Sequence, residues 1–211
     1  MIHELRTYTL HPGKIPAYLD LAAHVARPVR GDNYGICRGY WASEFGQVNQ
    51  IWHLWEFESL DDRAERRRAL AANERWQTEY VPKVRPLMQR QDIRFLQPMR
   101  TLNPPEASGH VYELRAYRTQ PGMAQAWAEL FVSYLPVRER YSPNVGIWVG
   151  EAPQPNEVVH LWAYPDLNMR LKARAEAQDD PKWQEFLRQG ASMLVEMHSS
   201  LLLPAAFSPM K

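Results

Sequence analysis

The sequence predicts an α+β protein made of two tandem β-α-β-β-α-β units, each a ferredoxin-like layer of four antiparallel strands covered by two helices. Three observations carry this. The run Gln50-Ile51-Trp52-His53-Leu54-Trp55-Glu56-Phe57, dense in β-branched and aromatic residues, reads as a strand, and it returns as Glu157-Val158-Val159-His160-Leu161-Trp162-Ala163-Tyr164. The signposts around it repeat as well. Glu4-Leu5-Arg6, Tyr8 and Pro12-Gly13 reappear as Glu113-Leu114-Arg115, Tyr117 and Pro121-Gly122 at an offset of 109, whereas Gly39, Trp41, Glu44, His53 and Trp76 reappear as Gly146, Trp148, Glu151, His160 and Trp183 at 107. Lastly, the change of offset falls between the first and second strands, where a loop absorbs a deletion.

Taken in order, residues 2–10 alternate as a strand with Glu4, Arg6 and Tyr8 on one face and His3, Leu5, Thr7 and Thr9 on the other. His11-Pro12-Gly13-Lys14 is a turn, and Ile15-Pro16 opens a helix whose apolar positions Tyr18, Leu19, Ala22 and Val25 recur at helical spacing up to Pro28. Residues 39–44 form the second strand, Gly46-Gln47-Val48-Asn49 a hairpin loop, and 50–58 the third strand. Ser59 caps a helix with Asp62 three residues on. That helix carries Arg63, Arg66, Arg67 and Arg68, read as a solvated face with protein docking as the sharper alternative, and Pro82 and Pro86 bend its continuation. Ile93–Leu96 is the fourth strand. By composition the boundaries are 1–102 for the first domain, 103–109 for a Pro/Gly/Ser-containing linker and 110–211 for the second domain.

Composition limits the function. The formal charge of +1 gives no electrostatic footprint for nucleic acid or an anionic membrane. A single cysteine, Cys37, allows no internal disulfide, fits a reducing compartment and reads as a small buried hydrophobe. With no apolar signal core at the start and no long apolar run, the reading is a cytoplasmic protein. No paired metal ligands, phosphate loop or nucleophile elbow is present, so no metal site and no cofactor are expected, with haem on a single histidine as the lesser alternative.

The motifs Glu-Leu-Arg-x-Tyr, Pro-Gly, Gly-Tyr-Trp-x-Ser-Glu and Asn-Gln-x-x-His-Leu-Trp-Glu, followed by Ser-Leu-Asp-x-Arg, resemble the NIPSNAP family through residues 2–98. In the second unit the resemblance is looser: Ile147 replaces Tyr40, Gly150 replaces Ser43, Ala163 replaces Glu56, and Tyr164-Pro165-Asp166 stands where the Ser-Leu-Asp cap was. The resemblance implies a dimeric α+β barrel, here with both sheets on one chain, while pairing between chains as a homo-oligomer stays open. Related barrels include haem enzymes, cofactor-independent oxygenases and isomerases, and animal relatives are mitochondrial and linked to protein interactions.

Taking Leu5/Leu114 and Leu54/Leu161 as helix-side contacts leaves Glu4, Arg6, Tyr8, Trp41, His53 and Trp55, with Glu113, Arg115, Tyr117, Trp148, His160 and Trp162, for the barrel interior; a slip of one residue reverses this. There His53 and His160 are the expected acid or base, Arg6 and Arg115 hold an anionic group, and Tyr8 and Tyr117 donate to an oxyanion. The glutamates and indoles are expected to bind the ligand. Three functions follow: a cofactor-independent isomerase, lyase or oxygenase acting on a small organic molecule, a binding protein without turnover, or an interaction scaffold.

Overall fold

The structure, a computed structural model, describes all 211 residues. Eight strands, β1 (Ile2–Leu10), β2 (Ile36–Phe45), β3 (Gln50–Phe57), β4 (Met88–Pro98), β5 (Val111–Thr119), β6 (Asn144–Ala152), β7 (Glu157–Tyr164) and β8 (Leu194–Pro204), close into one barrel in the order β1-β3-β2-β8-β5-β7-β6-β4. Closure is completed within a single chain, where β2 pairs with β8 from Trp41↔Pro204 to Phe45↔Leu201 and β4 pairs with β6 from Phe95↔Ala152 to Pro98↔Trp148. A closed barrel leaves no strand edge to solvent. The two halves interlock. Past β4, Met99 and Asn103 donate to the carbonyls of Ile147 and Val145, and past β8, Ala205 donates to the carbonyl of Tyr40.

Helices pack outside the barrel. In the first half they are α1 (Ile15–Leu21), α2 (Arg27–Arg30), α3 (Leu60–Ala72) and α4 (Val81–Val84); in the second, α5 (Ala124–Arg138), α6 (Leu167–Asp179) and α7 (Pro181–Ala191). Pro28 does not end the first helical run as its sequence predicts. A π turn, Ala22–Ala26, widens the helix just before the proline, and the chain stays helical to Arg30. A second π turn, Trp76–Tyr80, precedes Pro82 in the same way. Ser59 caps α3 by accepting from the Asp62 N–H at 3.1 Å. Asp166 caps α6 by accepting from Met169 N–H at 2.8 Å, so the altered sequence there keeps the function of the cap. None of the helices is long and apolar enough to cross a membrane.

Strand alternation decides what fills the barrel. Leu5 sits opposite Leu54 and Leu114 opposite Leu161, and these leucines, with Leu96, Leu202, Trp41, Trp52 and Trp148, form one buried cluster drawn from both halves. The sequence reading placed the leucines against the helices; the structure reverses it. A barrel interior fed by eight strands needs an apolar side chain from each, and leucine supplies it without a polar atom to satisfy. Glu4, Arg6, Tyr8, His53 and Trp55, and in the second half Glu113, Arg115, Tyr117, His160 and Trp162, therefore face the helices.

Trp41 and Trp148 remain inside the barrel because β2 and β6 each carry a bulge, at Cys37/Gly39 and Asn144/Gly146, that sets them level with Trp52 and Val159. Each indole lies over the glycine two residues earlier: a methyl group at Gly39 would collide with the Trp41 ring, and one at Gly146 would come within 2.6 Å of Trp148 Cη2. Gly39→Ala and Gly146→Ala are each expected to displace an indole from a filled core and to cost about 1–3 kcal/mol in urea unfolding. Unchanged midpoints would show that the ring packing is not what these glycines provide.

Candidate functional site

Each half holds a cavity between its sheet and its helices. In the first, of about 280 Å³, Arg6, Tyr8, His53 and Trp55 come from the sheet, Tyr18, Arg30, Trp76 and Tyr80 from the helical segments, and Tyr40 from β2. The order starts at Glu4, which is fully buried and takes guanidinium donors from Arg6 on its own strand and Arg63 on α3. Burying a carboxylate without such partners would be prohibitive. Arg6 donates onward to Tyr8 Oη at 2.5 Å and keeps Nη2 unpaired. Burial works against the Arg6 cation, yet Tyr8 and Glu4 together push its pKa up.

His53 is held on three sides. It stacks on Tyr40 with centroids 4.8 Å apart and meets Tyr8 edge to face, also at 4.8 Å. Its Nδ1 accepts the Trp55 indole N–H at 2.5 Å. An indole nitrogen can only donate, so Nδ1 carries no hydrogen and the neutral ring bears its proton on Nε2, which has no partner. Burial, then Arg6 and Arg30, keep the His53 pKa well below 6.5. Arg30, its own pKa lowered to about 10 chiefly by burial, lies 3.2 Å over the Trp55 ring. The hydroxyls of Tyr40 and Tyr80 both point to Tyr18 Oη, at 3.2 and 3.5 Å, and burial keeps all three phenols protonated.

The second cavity, of about 470 Å³, repeats this frame. Glu113 is bound by Arg115 at 3.1 Å, Arg170 at 2.7 Å and Ser199 at 2.6 Å. Although burial opposes the carboxylate, these partners lower its pKa to about 2. Arg115 also donates to Tyr117 Oη, Trp162 donates to His160 Nδ1 at 2.7 Å, and Arg138 lies 4.5 Å over the Trp162 ring. His160 too is kept neutral by burial first and Arg115 second, with Nε2 unpaired.

The structure thus brings together, in each half, every predicted site residue except the tryptophans inside the barrel. Trp148 there donates to His3 Nδ1 at 2.6 Å, while Trp41 packs against Tyr112. Arg63 was read with the solvated arginines, but it turns inward to Glu4. Arg67 lines the first cavity, while Arg66 pairs with Asp62 at 2.5 Å. Sequence reasoning missed Arg30 and Arg138, and the repeat was the signal that could have found them: Arg63/Arg170 and Arg67/Arg174 recur at the offset of 107, and Arg30/Arg138 at 108, within the stretch where the offset changes from 109 to 107. Cys37 is buried with its thiol pKa pushed up to about 11 by burial, as suits a core residue. The haem alternative does not fit these histidines. A ligating histidine binds through a bare nitrogen and donates from its other one, whereas here the other nitrogen accepts from an indole.

The chain is 30% identical to human NipSnap homolog 3B over 99% of its own length and 85% of the relative's, and 31% identical to the NipSnap homolog of Dictyostelium discoideum over 96% and 87%. In fold it is similar to a candidate monooxygenase of Fusobacterium nucleatum, with a TM-score of 0.72 across 100% of this chain and 97% of that one, at only 10% identity. The NIPSNAP family model matches residues 3–103 and again residues 112–209, and the chain belongs to the NIPSNAP family.

Proposed function

We propose that the first-half cavity binds a small organic anion, or a carbonyl compound that gives up its proton to solvent water or hydroxide on binding, and stabilises its oxyanion without a cofactor. The observation that carries this is the pair of buried, unpaired N–H donors on one cavity wall, Arg6 Nη2 and His53 Nε2. Such groups are costly to leave unmade, and a ligand oxygen would satisfy them. Arg6, Arg30 and Arg63 outnumber the one carboxylate, Glu4, so negative charge is welcome there. Tyr18, whose hydroxyl oxygen accepts from Tyr40 and Tyr80, keeps its own phenol hydrogen as a further donor.

The chemistry this supports is electrostatic. His53 is a hydrogen-bond donor rather than the general base its sequence position suggests, because taking up a proton at Nδ1 would break the indole bond. Lowering the energy of an enolate or phenolate is the step shared by isomerisation, elimination and reaction of an activated carbanion with oxygen. The same reading treats 1–102 and 110–211 as ferredoxin-like units joined by 103–109, and the protein as a binder of small molecules.

Phenylpyruvate, an enolisable aromatic oxo acid, is a suitable probe. It is expected to raise the melting temperature and to exchange its methylene hydrogens in D2O faster with the protein than without it. His53→Phe, which keeps an aromatic plate beside Tyr40, should weaken binding roughly tenfold, as the loss of one hydrogen bond to charge implies. Binding without exchange would leave a binding protein and exclude turnover of this class. Absence of binding for this and other small acids would overturn the reading.

Acid should also unfold the protein early. His3, His53 and His160 all have folded pKa values depressed from 6.5, each mainly by burial, so the unfolded chain takes up protons first. Stability present above pH 6.5 is therefore expected to fall as the pH drops from there towards the folded values. Urea midpoints between pH 8 and 5 measure this, and ¹⁵N spectra should show His53 and His160 still as neutral Nε2–H rings at pH 6. Flat midpoints or a charged imidazole at pH 6 would refute the assignment.

A further inference from the structure

The two cavities share a frame but not a lining. The first places Tyr18 against Tyr8 and Tyr40 opposite His53, with Gln91 opposite Tyr8 at the mouth. At the matching places the second has Trp127 against Tyr117, Ile147 opposite His160 and Met197 opposite Tyr117. Leu187 stands at the repeat position of Tyr80. Of the phenols in the first cavity, only Tyr8 has a counterpart here, Tyr117; those of Tyr18, Tyr40 and Tyr80 have gone. At the mouth, Val195, Met197 and Leu187 are 52%, 56% and 41% exposed, so the apolar lining continues out to solvent.

The charge has not gone with the phenols. Arg115 and Arg174 both line this cavity, and the Glu113 oxygen nearest Arg174 is 3.9 Å away, too far for a hydrogen bond. Arg115, Arg138, Arg170 and Arg174 surround a single carboxylate. Beside them the Trp127 indole N–H is buried and unpaired, as is His160 Nε2. A side chain at residue 190 would crowd Trp127 Nε1, with a Cβ at 2.9 Å, and glycine there keeps that space open.

We propose that this second cavity binds an amphipathic organic acid, its carboxylate held by Arg115 and Arg174 and its apolar body lying among Trp127, Phe131 and Trp183 and leaving past Val195 and Met197. An oily lining alone would take a neutral hydrocarbon, and arginines alone a small anion; their combination selects an acid with an apolar tail. The site is separate from the first-half cavity and does not depend on its ligand.

Decanoate, acetate and decanol, titrated at neutral pH into the full chain and followed by tryptophan fluorescence, test this. Decanoate is expected to bind one per chain through this cavity and acetate at least a hundredfold more weakly. Met197→Glu, at an exposed position, should weaken decanoate roughly tenfold or more without affecting the phenylpyruvate response of the first cavity. Arg174→Gln should weaken decanoate and leave decanol unchanged. The proposal fails if acetate binds as well as decanoate, if Met197→Glu has no effect, or if His53→Phe rather than Met197→Glu removes decanoate binding.

Discussion

A carboxylate with almost no access to water stands at the root of each half, and most of the arrangement around it follows from that. Glu4 and Glu113 lie on β1 and β5, against the helices, and neither can remain charged there without cations. Arg6 and Arg115 supply one from the same strand, two residues on. Arg63 and Arg170 supply another from α3 and α6, which fixes those helices to the sheet. With part of its fork committed to the glutamate, the strand arginine is aimed at the tyrosine hydroxyl beside it, and Tyr8 and Tyr117 in turn meet His53 and His160 edge to face. The last link is the indole that sets the tautomer of each imidazole. Pre-organisation of this kind is what electrostatic stabilisation of a ligand requires, since the donors need not rearrange when charge arrives.

The barrel accounts for why these groups could be spared for such a role. Its interior is filled by leucines and the indoles of Trp41, Trp52 and Trp148, together with Tyr112 and smaller aliphatic side chains. The helix face packs apolar clusters of its own, Ile2, Ile51 and Phe57 with Tyr18 and Val84 in the first half and Val158 and Tyr164 with Phe131 and Phe186 in the second, and it carries the charged groups among them because the helices and the ion pairs cover them. Closure between β2 and β8 and between β4 and β6 removes the exposed edges that either half would otherwise present. Two cavities therefore sit on opposite flanks of one barrel.

Much of this was legible in the sequence. β1, β3, the turn before Ile15 and the Ser59 cap follow from alternation and capping chemistry, and the repeat singled out the glutamate, arginine, tyrosine, histidine and tryptophan that lie together beside each cavity. Alternation, however, says which residues share a face and not which way the face points. Leu5 and Leu54 satisfy either layer equally well in a strand buried on both sides, so only the barrel closure decides. Trp41 was grouped with His53 because alternation within one strand does not give its register against the next, which sets Trp41 level with Trp52 and Tyr40 level with His53. Arg30 was missed because Pro28 reads as a helix end, and the π turn that carries the helix past it has no clear mark in the residues Ala22–Ala26.

The divergence between the flanks bears on why the repeat has been kept. Positions that build the frame, from the glutamate through the arginines to the histidine and its indole, are the same in both halves. Positions outside that frame have changed together from phenol or amide to indole or aliphatic side chains: Tyr18 to Trp127, Tyr40 to Ile147, Tyr80 to Leu187 and Gln91 to Met197. Loss of a function would relax the costly part first, since a buried carboxylate among arginines contributes little that a well-packed apolar core would not. Here the costly part stays while the lining shifts in a single chemical direction and the cavity widens from about 280 to about 470 Å³. With both cavities binding as proposed, that pattern is what a change of ligand produces, the charged frame being retained to hold an acidic group and the walls altered to suit what is attached to it.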